Sequence, residues 1–250
     1  MASTYRTAAC LQRPPAEPVE ILGNGAPFPG YLRSPSEGGP LVVLIPGLES
    51  TKEQFSTFEP YLLERGLATL SFEGPGQGES WYAQPFRNAA YMEGFGTLMS
   101  WISERADLRG RKVGLLGTSF GGYLALRCAA EVQVNAVVDI AGFHDLKGFD
   151  DLQPVIRENF AHFMKVDLEA ARDLVGEVDL SESLPVEAPV LVVHGGRDPI
   201  VPIANAHTIL AAQGDAASML YPDGNHSCNN LHTIVRPAIA DWLAETLEAR

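Results

Sequence analysis

The chain has 250 residues, a formal net charge of −13 and three cysteines, which predicts one large domain, or one domain with a small insertion. The negative charge argues against nucleic acid and anionic membranes as partners, and no apolar run approaches the roughly 20 residues of a bilayer span. The N-terminus has no charged-then-apolar signal pattern, so a cytoplasmic location is expected.

The predicted elements alternate between strands and helices. Residues 1–17 are expected to be loosely structured, and a hairpin follows with Gly23-Asn24-Gly25 as its turn. Apolar runs predict strands, and periodic patterns predict helices between them. The strands are expected at 19–22, 28–33, 41–45, 67–72, 113–117, 134–140, 189–194 and 218–221, and the helices near 52–65, 88–106, 119–131, 203–213 and 230–248. This alternation predicts an α/β fold with a mostly parallel central sheet flanked by helices.

Residues 143–185 interrupt this alternation with two helical stretches, at about 152–163 and 168–176. Because the segment lies between two strands of the predicted sheet, we interpret it as a small helical lid within one domain that spans residues 1–250. An ordinary crossover with an extra helix is the alternative. Within the lid, Phe149 and Phe163 are candidate substrate-binding residues, together with His144 at its base.

The glycine-rich stretch Gly74–Ser80 follows a predicted strand and invites comparison with a dinucleotide-binding loop. Its spacing is G-x-G-x-G rather than G-x-G-x-x-G, Pro75 interrupts it, and no helix is expected directly behind it. We therefore interpret it as a loop that shapes the rim of a pocket, and no cofactor is expected.

The most informative motif is G-x-S-x-G at Gly117-Thr118-Ser119-Phe120-Gly121. A predicted strand runs into it and a predicted helix runs out of it, which is the context of a nucleophilic serine on a tight turn. Ser119 is therefore the candidate nucleophile.

Two later residues complete a candidate catalytic set. Asp198 and His226 each lie in a loop after an apolar strand, so they are expected at the same sheet edge as Ser119. A histidine can activate the serine as a base, and a carboxylate can orient that histidine. The order Ser, Asp, His is typical of α/β hydrolases. The backbone N–H groups of Phe120 and Leu48 are the candidate oxyanion donors.

The remaining histidines and cysteines have ordinary structural explanations. His194 is expected to be buried, and no three histidines show metal-ligand spacing, so no metal is expected. The cysteines are far apart and form no C-x-x-C pair, which argues against a zinc or disulfide framework. Cys228 lies two residues after His226, where a structural role is favoured over a catalytic one.

Three motifs resemble one group of α/β hydrolases, which contains 2,6-dihydroxypseudooxynicotine hydrolase and the fungal polyketide-shortening hydrolases. They are Pro46-Gly47-Leu48-Glu49-Ser50-Thr51-Lys52-Glu53, Phe72-Glu73-Gly74-Pro75-Gly76-Gln77-Gly78-Glu79 and Asp223-Gly224-Asn225-His226-Ser227-Cys228. The likeness extends from Tyr5 to Leu243. The first of these runs is far more specific than G-x-S-x-G.

The resemblance implies hydrolysis of a carbon–carbon bond beside a ketone by Ser119, Asp198 and His226, with Glu49 also in the active site. Capping of the following helix is the structural alternative for Glu49. The resemblance also implies a further N-terminal helical domain in the relatives, which helps to cover the pocket and makes dimer contacts. A more open pocket is therefore expected here, and the oligomeric state stays open.

The sequence thus predicts a serine hydrolase with an acyl-enzyme mechanism that acts on a small carboxylic ester or on a ketone. A non-catalytic binding protein of the same fold is the alternative, and it differs in leaving Ser119 unreactive. A peptidase is disfavoured, because the chain shows neither a propeller nor a large cap to restrict access to peptides.

Overall fold

A computed structural model describes residues 2–23, 27–35 and 38–248. It contains one eight-stranded sheet in the order β1-β2-β4-β3-β5-β6-β7-β8, in which β1 and β2 pair antiparallel with their neighbours and the other pairs are parallel. The strands are β1 Glu17–Ile21, β2 Phe28–Arg33, β3 Leu41–Ile45, β4 Ala68–Phe72, β5 Val113–Thr118, β6 Ala136–Ile140, β7 Val190–Gly195 and β8 Ala217–Tyr221. The predicted α/β fold is confirmed.

Helices cover both faces of the sheet. They are α1 Ala2–Ala9, α2 Glu59–Leu63, α3 Ser80–Ala83, α4 Asn88–Glu104, α5 Phe120–Ala129, α6 Pro154–Met164, α7 Leu168–Val175, α8 Ala204–Gln213 and α9 His232–Leu247. Successive residues of β3 face opposite sides of the sheet: Val43 packs in the cluster that contains α4 and α5, and Leu44 packs in the cluster that contains α2 and α9. Such two-sided burial explains why the central strands are continuous apolar runs.

The structure corrects three local expectations. Residues 2–9 form α1 rather than a loose segment, because Ala9 is buried and the Tyr5 ring packs 5.3 Å from that of Tyr31. The helix expected at 52–65 is a 3₁₀ helix, Lys52–Thr57, followed by α2. The short helix α3 begins directly behind the glycine-rich loop. The predicted hairpin turn includes residues 24 and 25, which lie outside the described residues.

The segment between β6 and β7 contains the 3₁₀ turn Phe149–Asp151 and the helices α6 and α7. Its hydrogen bonds tie it to the loops around the carboxyl ends of the parallel strands: the Gln153 side chain donates to the Pro199 carbonyl at 2.7 Å, and Arg87 donates to the Met164 carbonyl at 2.8 Å. Among the residues described, no helix combines the length and the apolar character that a membrane crossing requires.

Candidate active site

Ser119 lies on a strained turn between β5 and α5. Its backbone has φ 56° and ψ −126°, and its N–H donates to the Ile140 carbonyl at 2.7 Å. A non-glycine residue in such a conformation persists only where the surroundings impose it, and functional sites are where it is commonly found. A Cβ at Gly121 would collide with the Ile45 carbonyl oxygen, so the helix can approach β3 only because glycine stands there.

Asp198 and His226 form a hydrogen-bonded pair. The Nδ1 atom of His226 lies 2.8 Å from Oδ2 of Asp198, whose side chain is fully buried. The other oxygen, Oδ1, accepts the N–H groups of Ile200 and Val201 at 2.8 and 2.9 Å. Burial alone would raise the pKa of Asp198, but the hydrogen bonds from His226 and from these amides outweigh it and lower that pKa. The carboxylate therefore stays ionised and fixes the imidazole.

Ser119 and His226 open onto one cavity of about 350 Å³. A volume of this size suits a small molecule. One wall is apolar and comes from the segment between β6 and β7, and the side chains that can carry charge are Glu49, His226 and Arg236. The full lining is Gly47, Leu48, Glu49, Ser50, Gln54, Phe55, Phe58, Thr118, Ser119, Phe143, Ile156, Phe160, Ile200, His226, Ser227, Asn229 and Arg236.

The loop after β3 lies against the candidate nucleophile. A Cβ at Gly47 would be only 3.1 Å from Cβ of Ser119, and Leu48 lines the cavity beside it. Phe120 is the first residue of α5, where backbone N–H groups have no acceptor within the helix. Its side chain is fully buried, so only its backbone N–H is relevant to the chemistry.

Comparisons with known proteins show the family to which this fold belongs. A family profile described as the prolyl oligopeptidase family matches residues 53–250. The chain belongs to the prolyl oligopeptidase family of α/β hydrolases. 2,6-Dihydropseudooxynicotine hydrolase of Paenarthrobacter nicotinovorans is 35% identical over 253 residues, which cover 98% of this chain and 68% of that relative.

Further relatives support the same assignment. The crystal structure of the 2,6-dihydroxy-pseudo-oxynicotine hydrolase superimposes with a TM-score of 0.91 at 34% identity, covering 98% of this chain and 72% of that one. The hydrolase acrC of Aspergillus aculeatus is 31% identical over 147 residues, 52% of this chain and 34% of its own length. The predicted resemblance is thereby confirmed, and the chain is a hydrolase.

A buried glutamine of this hydrolase, which sequence reasoning missed, holds the loop before Leu48. Gln77 donates from Nε2 to the Pro46 carbonyl at 2.7 Å. Its Oε1 accepts the Gly74 N–H and the Tyr91 hydroxyl, each at 3.1 Å. The glycine-rich loop of residues 74–80 therefore supports the candidate oxyanion loop through Gln77.

A second group of buried contacts near the candidate oxyanion loop centres on Lys52, which is only 3% exposed. Its ammonium lies 2.7 Å from Glu79, 2.9 Å from Glu53 and 3.1 Å from Glu73. Burial would lower the pKa of Lys52, but the charge of Glu73 and the other carboxylates raise it above its ordinary value. This ion cluster ties the segment after Glu49 to the glycine-rich loop.

Glu49 is exposed and lines the cavity of the hydrolase. The N-cap residue of the following 3₁₀ helix is Thr51, and the Thr51 side chain makes no capping hydrogen bond. The position of Glu49 is thus compatible with contact to a substrate, which is the role that the resemblance implies.

The candidates His144, Phe149 and Phe163 are not part of the cavity lining. Phe163 stacks on Phe86 at 4.8 Å, one helical turn beyond the part of α6 that faces the cavity. Phe149 precedes α6 and packs behind Phe160, at 6.1 Å between ring centroids. The residues of this segment that do line the cavity are Phe143, Ile156 and Phe160.

His144 belongs instead to a polar cluster with Asp145 and Asp179, whose ligand-type atoms lie within 4.8 Å of one another. The Nδ1 atom of His144 is 2.9 Å from Oδ2 of Asp145. Lys147 already pairs with Asp179 at 2.8 Å, and the Ser181 N–H donates to the same carboxylate. Lys147 therefore compensates one of the two negative charges that would attract a metal ion.

Proposed function

We propose that this chain is a serine hydrolase in which Ser119 is the nucleophile, His226 the base and Asp198 the residue that orients the base. The observation that carries the proposal is the Asp198–His226 pair at 2.8 Å, with His226 and the strained Ser119 turn lining the same cavity. A serine hydroxyl is a weak nucleophile until a positioned base removes its proton, and these residues supply that base.

In the proposed reaction, Oγ of Ser119 attacks the substrate carbonyl carbon while His226 takes the hydroxyl proton. The N–H groups of Leu48 and Phe120 stabilise the oxyanion, and loss of one such donor typically costs about 10²–10³ in rate. The tetrahedral intermediate then expels its leaving group, which takes the proton from His226. Water, activated by the same imidazole, hydrolyses the acyl-enzyme and regenerates Ser119.

Two substrate classes fit this mechanism, and a ketone is favoured. A relative that is 35% identical is named as a hydrolase of 2,6-dihydropseudooxynicotine, which supports a small molecule as the substrate. Cleavage beside a ketone breaks a carbon–carbon bond and leaves the electron pair on carbon, which then needs a proton. Glu49 lines the cavity and is our candidate to bind the ketone or to assist that protonation.

The segment of residues 143–185 is proposed to be a lid over the nucleophile. Its contribution of Phe143, Ile156 and Phe160 to the cavity wall supports this role. Those side chains surround substrate with apolar surface, and differences between them would select the part of the substrate that is not cleaved.

The first test is turnover of short and long p-nitrophenyl esters, with labelling by a fluorophosphonate probe. We expect wild-type hydrolysis and labelling, and loss of both in Ser119→Ala, with an unchanged circular dichroism spectrum. Thr118→Ser, next to the nucleophile, is the matched control and should remain reactive. Labelling of Ser119→Ala would refute the nucleophile assignment, and a folded wild type that neither labels nor hydrolyses would favour the non-catalytic binding protein.

The second test separates the two substrate classes. Glu49→Gln should abolish cleavage of an aryl ketone and spare hydrolysis of a nitrophenyl ester, whose leaving group needs no proton. Glu104→Gln, at an exposed glutamate that does not line the cavity, controls for the loss of one negative charge. Equal activity of Glu49→Gln and wild type on both substrates would show that Glu49 is structural.

A further inference from the structure

Among the described residues, Arg236 is the one lysine or arginine that lines the cavity. It lies in the N-terminal part of α9, which begins six residues after His226, and its side chain is half-buried. The proposed reaction gives this side chain no task.

In the described part of the chain, the hydrogen bonds of Arg236 are to uncharged groups. Its Nη1 donates to the carbonyl oxygen and to Oγ1 of Thr57, at 2.8 and 2.9 Å. The guanidinium carbon lies 5.5 Å from the centroid of the Phe58 ring. These hydrogen bonds all use Nη1, so the edge formed by Nε and Nη2 has no protein acceptor in the described part of the chain. That edge is the fork that matches a carboxylate.

Arg33 and Lys52, the buried cations of the described residues, pair with carboxylates, whereas the half-buried Arg236 has no such partner there. No carboxylate of the described residues forms an ion pair with it, although acidic residues outnumber basic ones by 31 to 18. Arg33, by comparison, lies 2.9 Å from Glu59. The first turn of α9 carries no acidic residue, so the positive end of its dipole adds to the same potential.

Burial lowers the pKa of Arg236 from its ordinary value, yet a guanidinium remains protonated in proteins. A permanent cation that is partly removed from water gains most from an anionic partner that enters the cavity with it. Glu49, which lines the same cavity, would repel such a partner and so favour the Arg236 side.

We propose that Arg236 binds a carboxylate of the substrate, so that the substrate class is a small acyl compound that carries a carboxylate group. This inference rests on the proposed function and extends it to a specificity-determining residue. The carboxylate would occupy the Nε–Nη2 edge, and the apolar part would lie against Phe143, Ile156 and Phe160.

The test compares 3-phenylpropionate with its neutral isostere 3-phenylpropionamide by isothermal titration calorimetry. We expect the carboxylate to bind wild type at least tenfold more tightly, and Arg236→Met to bind the two probes equally. Arg65→Met is the matched control, because Arg65 also joins α9 to a neighbouring helix, through Asp241, but does not line the cavity. Equal binding by wild type, or a preference that survives in Arg236→Met, would overturn the proposal.

Arg236→Lys keeps the charge and the aliphatic stem but lacks the fork, and it serves where the methionine variant does not fold. Its preference for the carboxylate should fall several-fold. An undiminished preference would contradict recognition of the carboxylate by the two N–H groups of the Nε–Nη2 edge. Because binding does not require catalysis, Ser119→Ala should show the full preference. If wild type prefers the carboxylate probe but hydrolyses no ester, only the proposed function is refuted. If wild type hydrolyses esters but binds the two probes equally, only this inference is refuted.

Discussion

Replacing Gln77 by leucine tests whether the candidate oxyanion loop depends on one buried amide. Gln77 is 1% exposed and makes three hydrogen bonds, to Pro46, Gly74 and Tyr91. Leucine is apolar and of similar volume, but it is one bond shorter and leaves the Pro46 carbonyl, the Gly74 N–H and the Tyr91 hydroxyl without that partner.

The magnitude follows from those three groups. A buried polar group without a partner costs about 1–3 kcal/mol, so the free energy of unfolding should fall by about 3 kcal/mol or more. For a chain of this size, that corresponds to a decrease in Tm of about 6–12 °C. Because the Pro46 carbonyl directly precedes the Gly47–Leu48 turn, kcat for ester hydrolysis should also fall by about 10–100-fold, with a smaller change in KM.

Urea unfolding followed by circular dichroism measures the stability, and initial rates below and above KM separate kcat from KM. Gln133→Leu is the matched control at an exposed glutamine and should change stability by less than about 0.5 kcal/mol. Gln77→Glu retains acceptors for Gly74 and Tyr91 but places a carboxylate oxygen against the Pro46 carbonyl, so it should be at least as unstable as Gln77→Leu. A loss below about 1 kcal/mol in Gln77→Leu, with unchanged kcat, would refute the view that Gln77 positions the loop.

Three further outcomes are expected. Asp198→Asn should lower kcat by about 10⁴-fold with the fold intact, because an amide no longer enforces the required His226 tautomer, and kinetics with circular dichroism check this. Because the pKa of Asp198 is lower in the folded state, ionised Asp198 adds to the free energy of unfolding above its unfolded pKa of about 3.9. This contribution is lost as the pH falls through the lower folded pKa. Urea unfolding between pH 2 and 7 should therefore show a smaller decrease of stability in acid for Asp198→Asn than for wild type. Ellman's reagent should modify Cys10 rapidly in the native protein, whereas Cys128 and Cys228 are buried with raised pKa values and should react only after unfolding; two fast thiols would contradict this.

The sequence allowed the sheet to be predicted closely, because buried parallel strands are continuous apolar runs. Residues 41–45 form β3 with the predicted bounds. Helix α1 was not predicted, because it is short and polar on average, and its contact to Tyr31 depends on the folded sheet. Local patterns therefore sufficed where burial is extensive, and failed where an element is stabilised by a few distant contacts.

The same distinction applies to the candidate site. Ser119, Asp198 and His226 could be proposed because each stands in a local motif of strand, turn and small residues. Gln77 carries no such signal, since a glutamine between glycines looks the same whether it faces solvent or a carbonyl. Arg236 meets Thr57, 179 positions earlier in the chain, and no pattern near either residue indicates that contact.

The order of strands has a consequence for how this enzyme loses activity. Ser119 follows β5 near the middle of the sheet, whereas Asp198 and His226 follow β7 and β8, and β8 is an edge strand with mostly exposed side chains. Proteins open in cooperative units, and weakly buried edges open at lower free energy than the core. On heating, the edge unit should open and move His226, the proposed base, away from Ser119, the proposed nucleophile, while the central strands still resist hydrogen exchange. Loss of activity would then precede global unfolding, and a ligand that contacts both Ser119 and His226 would delay it.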